Sequence, residues 1–390
     1  MSESAVIVGW SHSPFGKLDD PDVESLTGRV AASAIEHAGL TAADIDLITV
    51  GVLNNGFSRQ GFEAGLVGAA TPELAAIPAM RLENACATGS TALYAAMDHI
   101  ESGRGRVALV VGAEKMTATP TAEVGDILLS ASYRKEEADI DGGFAGIFGR
   151  IAQSYFQRYG DHSADLARIA AKNHANGMAN PLAHIRKDLG FEFCNTVSDK
   201  NPIVANPLRR TDCSLISDGS AAIVVASESV AADLDRAIRL RSRTLQNDAL
   251  PLSRRDPTAF DGARRAWQKA LTDAGATLED LDFVETHDCF TIAELIEYEA
   301  MGLTAPGEGA RAIREGWTQK DGRLPVNPSG GLKSKGHPIG ATGVSMHIMA
   351  CMQLMAEAED MQIGGAELGA VFNMGGAAVA NCVSILERMK

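Results

Sequence analysis

The sequence predicts a duplicated α/β protein with an inserted lobe. Three observations carry that expectation. Short apolar segments alternate with helical patterns, one helix–glycine–turn–strand link occurs twice, and a polar stretch between the copies belongs to neither. Alternating strands and helices imply a mainly parallel sheet.

Residues 5–10 read as a buried strand. Residues 22–38 read as a helix ended by Gly39, the residue that most easily takes the left-handed turn beyond a helix. Residues 45–51 form a second strand, 88–100 a helix and 107–112 a third strand. The link at 38–48 (AGLTAADIDLI) returns at 274–284 (AGATLEDLDFV), with Ala, Gly, Thr, Asp and Asp in place. Ala87-Thr88-Gly89 also returns as Ala341-Thr342-Gly343, each opening a helix. Two matches in the same order argue for a duplicated unit.

The expected division is 1–120 plus 209–232 for the first half, 121–208 for the lobe and 233–390 for the second half. The lobe includes the polar segment 133–141 and a helical patch at 147–159. The strand at 221–226 then closes the first half.

Length and composition narrow the class. The chain has 390 residues, 45% hydrophobic and 22% charged, with 39 glycines, an ordinary globular balance. A net charge of −15 argues against general nucleic-acid or membrane-surface binding. Six cysteines without C-x-x-C spacing argue against a disulfide framework or a zinc knuckle. Reduced thiols and a start without a basic region fit a cytoplasmic protein, and no apolar run reaches the roughly 20 residues of a membrane span.

Asn84-Ala85-Cys86-Ala87-Thr88-Gly89-Ser90 places a cysteine at the start of a helix. The positive end of the macrodipole and the free backbone N–H groups favour a thiolate there. An isolated cysteine is ordinarily a small buried hydrophobe. Gly336-His337-Pro338-Ile339-Gly340-Ala341-Thr342-Gly343 changes that reading, because it sets a histidine at the equivalent turn of the second copy. Cysteine nucleophiles need such a base. A third element, Val284-Glu285-Thr286-His287-Asp288-Cys289-Phe290, follows the repeated strand, where ligand sites of open α/β sheets lie.

With these stretches together, the sequence resembles the thiolase family over essentially its whole length. Further matches are Val6–Val8 through Lys17, Gly112–Met116, Ser217–Ala222 and Asn327 to Gly343. The closest likeness is to the branch of sterol-carrier-protein thiolases and similar archaeal and bacterial enzymes, which carry His-Asp-Cys-Phe here at 287–290. The commonest thiolases instead have Asn-Glu-Ala-Phe and a second catalytic cysteine in a glycine-rich turn near the C-terminus. That turn here is Phe372-Asn373-Met374-Gly375-Gly376, with Asn373 in the cysteine's place.

The resemblance implies a duplicated α-β-α-β-α layered fold with an inserted loop domain. It implies an acyltransferase that condenses acyl-CoA with acetyl-CoA, or cleaves 3-ketoacyl-CoA, through an acyl-cysteine. Cys86 would be the nucleophile, His337 its base and Cys289 the base at the α-carbon. His287 and His337 would face the enolate oxygen. The backbone N–H groups of Cys86 and Gly375 would hold the oxyanion, donors worth about 3 kcal/mol each. Cys194, Cys213, Cys351 and Cys382 would be structural. CoA thioesters are the expected substrates, with no cofactor and no metal. Arg209, Arg210, Lys333 and Lys335 are candidates for CoA phosphates, solvated surface charge being the competing reading. A homo-oligomer is expected, with 76–84 as an interface strand. Alternatives are a subunit active only with a small zinc-ribbon/OB-fold partner, a lipid-binding relative or a ketoacyl synthase. The second cysteine motif weighs against the synthase.

Overall fold

A computed structural model describes residues 3–390. In the first half, β1 (Ala5–His12) leads through α1 (Val23–His37) to β2 (Leu47–Gly51), α2 (Glu63–Ala70), β3 (Ala79–Leu82), α3 (Thr88–Glu101) and β4 (Val107–Glu114). The chain then leaves the sheet for α4 (Thr121–Leu128), α5 (Arg134–Glu137), α6 (Phe144–Tyr159), α7 (Ser163–Gly177) and α8 (Gly190–Asn195). A small ribbon, β5 (Ile203–Ala205) and β6 (Leu208–Arg209), precedes the return as β7 (Gly219–Ser227) and α9 (Glu228–Ala231). The second half runs β8 (Ile238–Asn247), α10 (Asp261–Ala274), β9 (Phe283–Glu285), α11 (Thr291–Ala300), α12 (Gly309–Arg314), α13 (Gly331–Ser334), α14 (Ile339–Leu354), β10 (Leu368–Gly375) and β11 (Ala380–Arg388).

Local chemistry explains these boundaries. The Asp22 side chain accepts the Ser25 N–H at 2.9 Å and starts α1, whose buried stripe includes Leu26, Val30, Ala34 and Ile35. Gly39 follows with φ +73°, and Gly275 follows α10 with φ +60°. After each glycine the same turn recurs. Asp44 Oδ2 accepts the Thr41 N–H and hydroxyl at 2.8 and 2.7 Å, and Asp280 Oδ2 accepts those of Thr277 at 2.8 Å each. The repeated link is therefore one structural device used twice.

Among the described residues the long strands form one sheet, ordered β3-β2-β4-β7-β1-β8-β11-β10-β9. Its halves mirror each other about β1 and β8, which pair only at Val6–Arg239 and Ile7–Ile238. The parallel β2–β4 pair corresponds to β9–β10, and the antiparallel β4–β7 pair to β10–β11. The sheet is thus mixed, with most neighbours antiparallel, rather than mainly parallel. The cause is the last step of each copy. β10 returns directly as β11 through residues 376–379, a hairpin, and β4–β7 is the same hairpin with residues 115–218 in its loop. Antiparallel neighbours need no crossover. The expected lobe, 121–208, falls within that excursion.

The helices make the layers. α1 packs on β1, β7 and β4, where Val6, Val8, Leu109 and Val224 face it. On the other face, Ile7, Val110 and Ile223 join the core shared with α3 and α14. α14 packs against α3, and on β4 and β7 as well as β10, so it lies between the two halves of the sheet. α10 covers β8 and β11. The result is the α-β-α-β-α layering. No helix of the described residues is long and apolar enough to cross a membrane.

Candidate active site

Cys86 lies in the turn from β3 into α3. Ala85 before it has φ +48°, a left-handed conformation that costs a non-glycine residue about 1–2 kcal/mol. Neighbouring groups hold the turn. Glu83 Oε1 accepts the Ala85 N–H at 2.6 Å, and Thr88 Oγ1 accepts the Asn84 N–H at 2.8 Å. His337 occupies the equivalent turn ahead of α14. His287 and Cys289 follow β9, just ahead of α11.

One donor atom from each of Cys86, His287 and His337 lies within 4.8 Å of the other two, and all three residues are buried. The two imidazole rings are 5.1 Å apart at 81°. Cys289 lines the same cavity, about 200 Å³, with Cys86 and His337. The rest of the wall is mostly apolar and comes largely from the stretch between β4 and β7, including Val124, Leu128, Phe144 and Val204. Cys213 also lines this cavity rather than sitting in the core, whereas Cys194, Cys351 and Cys382 are buried.

Electrostatics correct one expectation. Burial pushes the Cys86 thiol up to about 12, and Glu83 and Glu114 add to the shift. The backbone N–H groups of Gly376 and of Cys86 itself pull the other way without overcoming burial. The resting residue is therefore a thiol. The N–H against its resting sulfur belongs to Gly376, beside Gly375, the expected oxyanion donor. Burial and the Lys335 charge take His337 down to about 3, and burial, His337 and Lys335 take His287 well below 6.5. Burial also holds Cys289 well above the usual thiol range. Burial thus disfavours charge on all four groups.

Asp288 joins the pieces. Its carboxylate accepts the N–H groups of Leu332 and Lys333 at 2.6 and 3.1 Å and the Asn173 amide at 2.7 Å. It thereby ties the His287–Cys289 turn to α13, which leads into His337. Glu114 ties the other side, accepting from Leu53, Asn54 and Gly340 N–H at 2.9, 3.0 and 3.0 Å. Three of the four basic candidates are buried and bonded within the protein. Arg209 is paired with Asp212 at 2.8 Å, Lys335 donates to Ser345 Oγ at 2.6 Å, and Lys333 donates to the Cys213 carbonyl. Burial makes these cations internal struts; only Arg210 of the four is exposed.

Asn373 and Gly376 were not legible as site residues. Asn373 marked only a missing cysteine, yet its amide touches both Cys86 and His287, at 3.0 and 2.9 Å.

A duplicated α/β frame with a thiol and two imidazoles at its element ends defines an enzyme of the acyl-transferring type. The profile of the thiolase N-terminal domain matches residues 5–229, and that of the thiolase C-terminal domain-like family matches 246–388. An acetyl-CoA acetyltransferase of Methanothermobacter thermautotrophicus is 35% identical over 387 residues, covering 98% of this chain and 99% of that one. Sterol carrier protein 2 of Homo sapiens is 32% identical over 318 residues, 77% of this chain and 56% of that one. A solved structure, the Ltp2-ChsH2(DUF35) aldolase, shares the fold with a TM-score of 0.83 at 20% identity, covering 99% of this chain and 98% of that one. The chain belongs to the thiolase family and is a thiolase-type acyltransferase.

Proposed function

We propose that this enzyme moves acyl groups between CoA thioesters through an acyl-Cys86 intermediate. The observation that carries the reading is the meeting of Cys86, His287 and His337 within 4.8 Å beside a cavity that also contains Cys289. As the Cys86 sulfur attacks the thioester carbonyl, its proton passes to His337. The oxyanion lies against the N–H groups of Cys86 and Gly375. CoA leaves as the thiol, taking the proton from His337. Cys289 then passes its proton to the freed His337, and the thiolate so formed takes an α-proton from a second thioester, acetyl-CoA, whose enolate oxygen meets His287. The α-carbon attacks acyl-Cys86, and the departing sulfur takes the proton held on His337. The products are 3-ketoacyl-CoA and the free enzyme. Run backwards, the protonated Cys289 supplies the proton to the departing enolate, the form that burial favours at rest. The neutral, apolar cavity suits an uncharged acyl group, and no cofactor or metal enters these steps.

The test is mass spectrometry after brief exposure to acetyl-CoA. The adduct is expected on the Cys86 peptide and not in Cys86→Ala; an adduct persisting in the variant overturns the reading. We also propose a homo-oligomer through 76–84. This segment contains edge strand β3, with Met80 44% exposed and Phe62, at the start of the adjoining α2, 85% exposed. Light scattering that gives 41.0 kDa at all micromolar concentrations contradicts it. A chain that is acylated alone yet performs no thiolysis would instead point to a small zinc-ribbon/OB-fold partner. Six unpaired thiols support a cytoplasmic placement.

A further inference from the structure

Cysteine and histidine donors this close are the usual ligands of Zn²⁺. To serve, each imidazole must present a nitrogen without a proton. The hydrogen bonds decide which nitrogen that is. The Thr342 hydroxyl donates to the Pro338 carbonyl at 2.9 Å, so its only hydrogen is used. It therefore accepts from His337 Nδ1–H at 2.7 Å, and His337 Nε2 keeps its lone pair. That is the form a base requires.

His287 is set the opposite way. Asn373 Nδ2 lies 3.0 Å from the Cys86 carbonyl oxygen, which only accepts, and Asn373 Oδ1 accepts from Ser90 Oγ at 2.7 Å. A flipped amide would face oxygen against oxygen, so the amide orientation follows from its partners. The same Nδ2 is 2.9 Å from His287 Nδ1, which must accept. The neutral ring then carries its proton on Nε2, which is buried and has no protein partner.

We infer that Asn373 is a positioning residue that sets His287 as an Nε2–H donor, aimed at the substrate's carbonyl oxygen and withheld from a metal ion. The first half of this rests on the reaction proposed above; the tautomer and the metal exclusion do not. Two chemically identical side chains, His337 in the cavity wall and His287 beside it, then hold different offices, His337 accepting a proton and His287 donating a hydrogen bond. The asparagine that replaces the usual cysteine is what separates them.

The experiment uses ¹⁵N-histidine-labelled full-length protein, with His287→Gln to assign the signals. Wild type is expected to show His287 protonated on Nε2; protonation on Nδ1 overturns the inference. In Asn373→Asp a carboxylate accepts from Nδ1–H instead, freeing Nε2 in the carboxylate–histidine–metal arrangement. Zn²⁺ titrated alone should bind this variant at least tenfold more tightly than wild type, scaled to known effects of such supporting groups. Equal or weaker binding by the folded variant overturns the exclusion. Asn373→Ala, which adds no buried charge, should lower α-proton exchange of a bound thioester at least tenfold, measured on protein already acylated at Cys86; unchanged exchange overturns the donor role. Loss of Cys86 acylation in wild type would instead sink the proposed reaction and leave the tautomer result standing.

Discussion

Gly89 and Gly343 meet backbone to backbone where α3 and α14 pack together. A Cβ on Gly89 would lie 2.9 Å from Gly343 N and 2.6 Å from Val344 N, and a Cβ on Gly343 would strike Ser90 N. Real Cβ atoms do not approach backbone so closely, so the helices can touch only without side chains there. Cys86 precedes one helix and His337 the other, and this contact sets the distance between nucleophile and base.

Gly89→Ala should therefore cost about 1–3 kcal/mol of stability, the usual range for overpacking a tight core. It should also slow Cys86 acylation by moving the thiol from the imidazole. Urea denaturation and single-turnover acylation measure the two effects. A variant as stable and as fast as wild type would show that the contact is slack.

Cys86 should behave as an ordinary buried thiol toward iodoacetamide. Below the thiol's pKa, the thiolate fraction rises tenfold with each pH unit. With the thiol pushed up to about 12 by burial, inactivation should keep accelerating through pH 9. A plateau near neutrality would mean that the helix start and the Gly376 N–H outweigh burial after all.

Cys289→Ala and His337→Ala should fail at different steps. The first should acylate normally but lose α-carbon hydrogen–deuterium exchange by roughly 100- to 10,000-fold, the span of general base catalysis. The second should lose acylation itself. Near-wild-type exchange in Cys289→Ala would assign the α-proton to another group.

Asp218 supports the wall behind the cavity. It accepts from Leu18 N, Lys115 Nζ, Met116 N, Thr117 N and Thr117 Oγ1, at 2.6 to 3.1 Å. Burial alone would raise its pKa, but Lys115 and Thr117 more than offset this and hold it below 3.8. A depressed carboxylate contributes stability above its unfolded pKa and loses it as pH falls through the folded value. Asp218→Asn should cost about 3–5 kcal/mol at pH 7, as for a broken buried pair. The gap between variant and wild type should shrink on acidification below 3.8. A gap that is constant with pH would remove the charge from the account.

The sequence made the repeat legible because its turns need particular residues: Thr41 with Asp44, Thr277 with Asp280, and Gly39 with Gly275 in the left-handed region. It also marked Cys86, His287 and His337, whose side-chain chemistry is unusual at element ends. Strand direction was not legible, because β4 and β7 are neighbours only through a hairpin whose loop is a whole lobe. The state of Cys86 was misjudged, since a helix start is a local feature and desolvation depends on everything folded around it. Lys333 and Lys335 look like surface charge in one dimension; burial against the Cys213 carbonyl and Ser345 is a property of three.

The hairpin that holds the lobe confines variation to one place. Thiol and imidazoles stand on turns of the duplicated frame, whereas Val124, Leu128, Phe144 and Val204 lie between β4 and β7. Exchanging the residues of that stretch that line the cavity would redraw the shape an acyl chain must match, as long as Asn173 keeps its bond to Asp288. The scaffold thus keeps its reacting atoms on the frame and the acyl chain's walls on the lobe, with Asn173 as the joint between them.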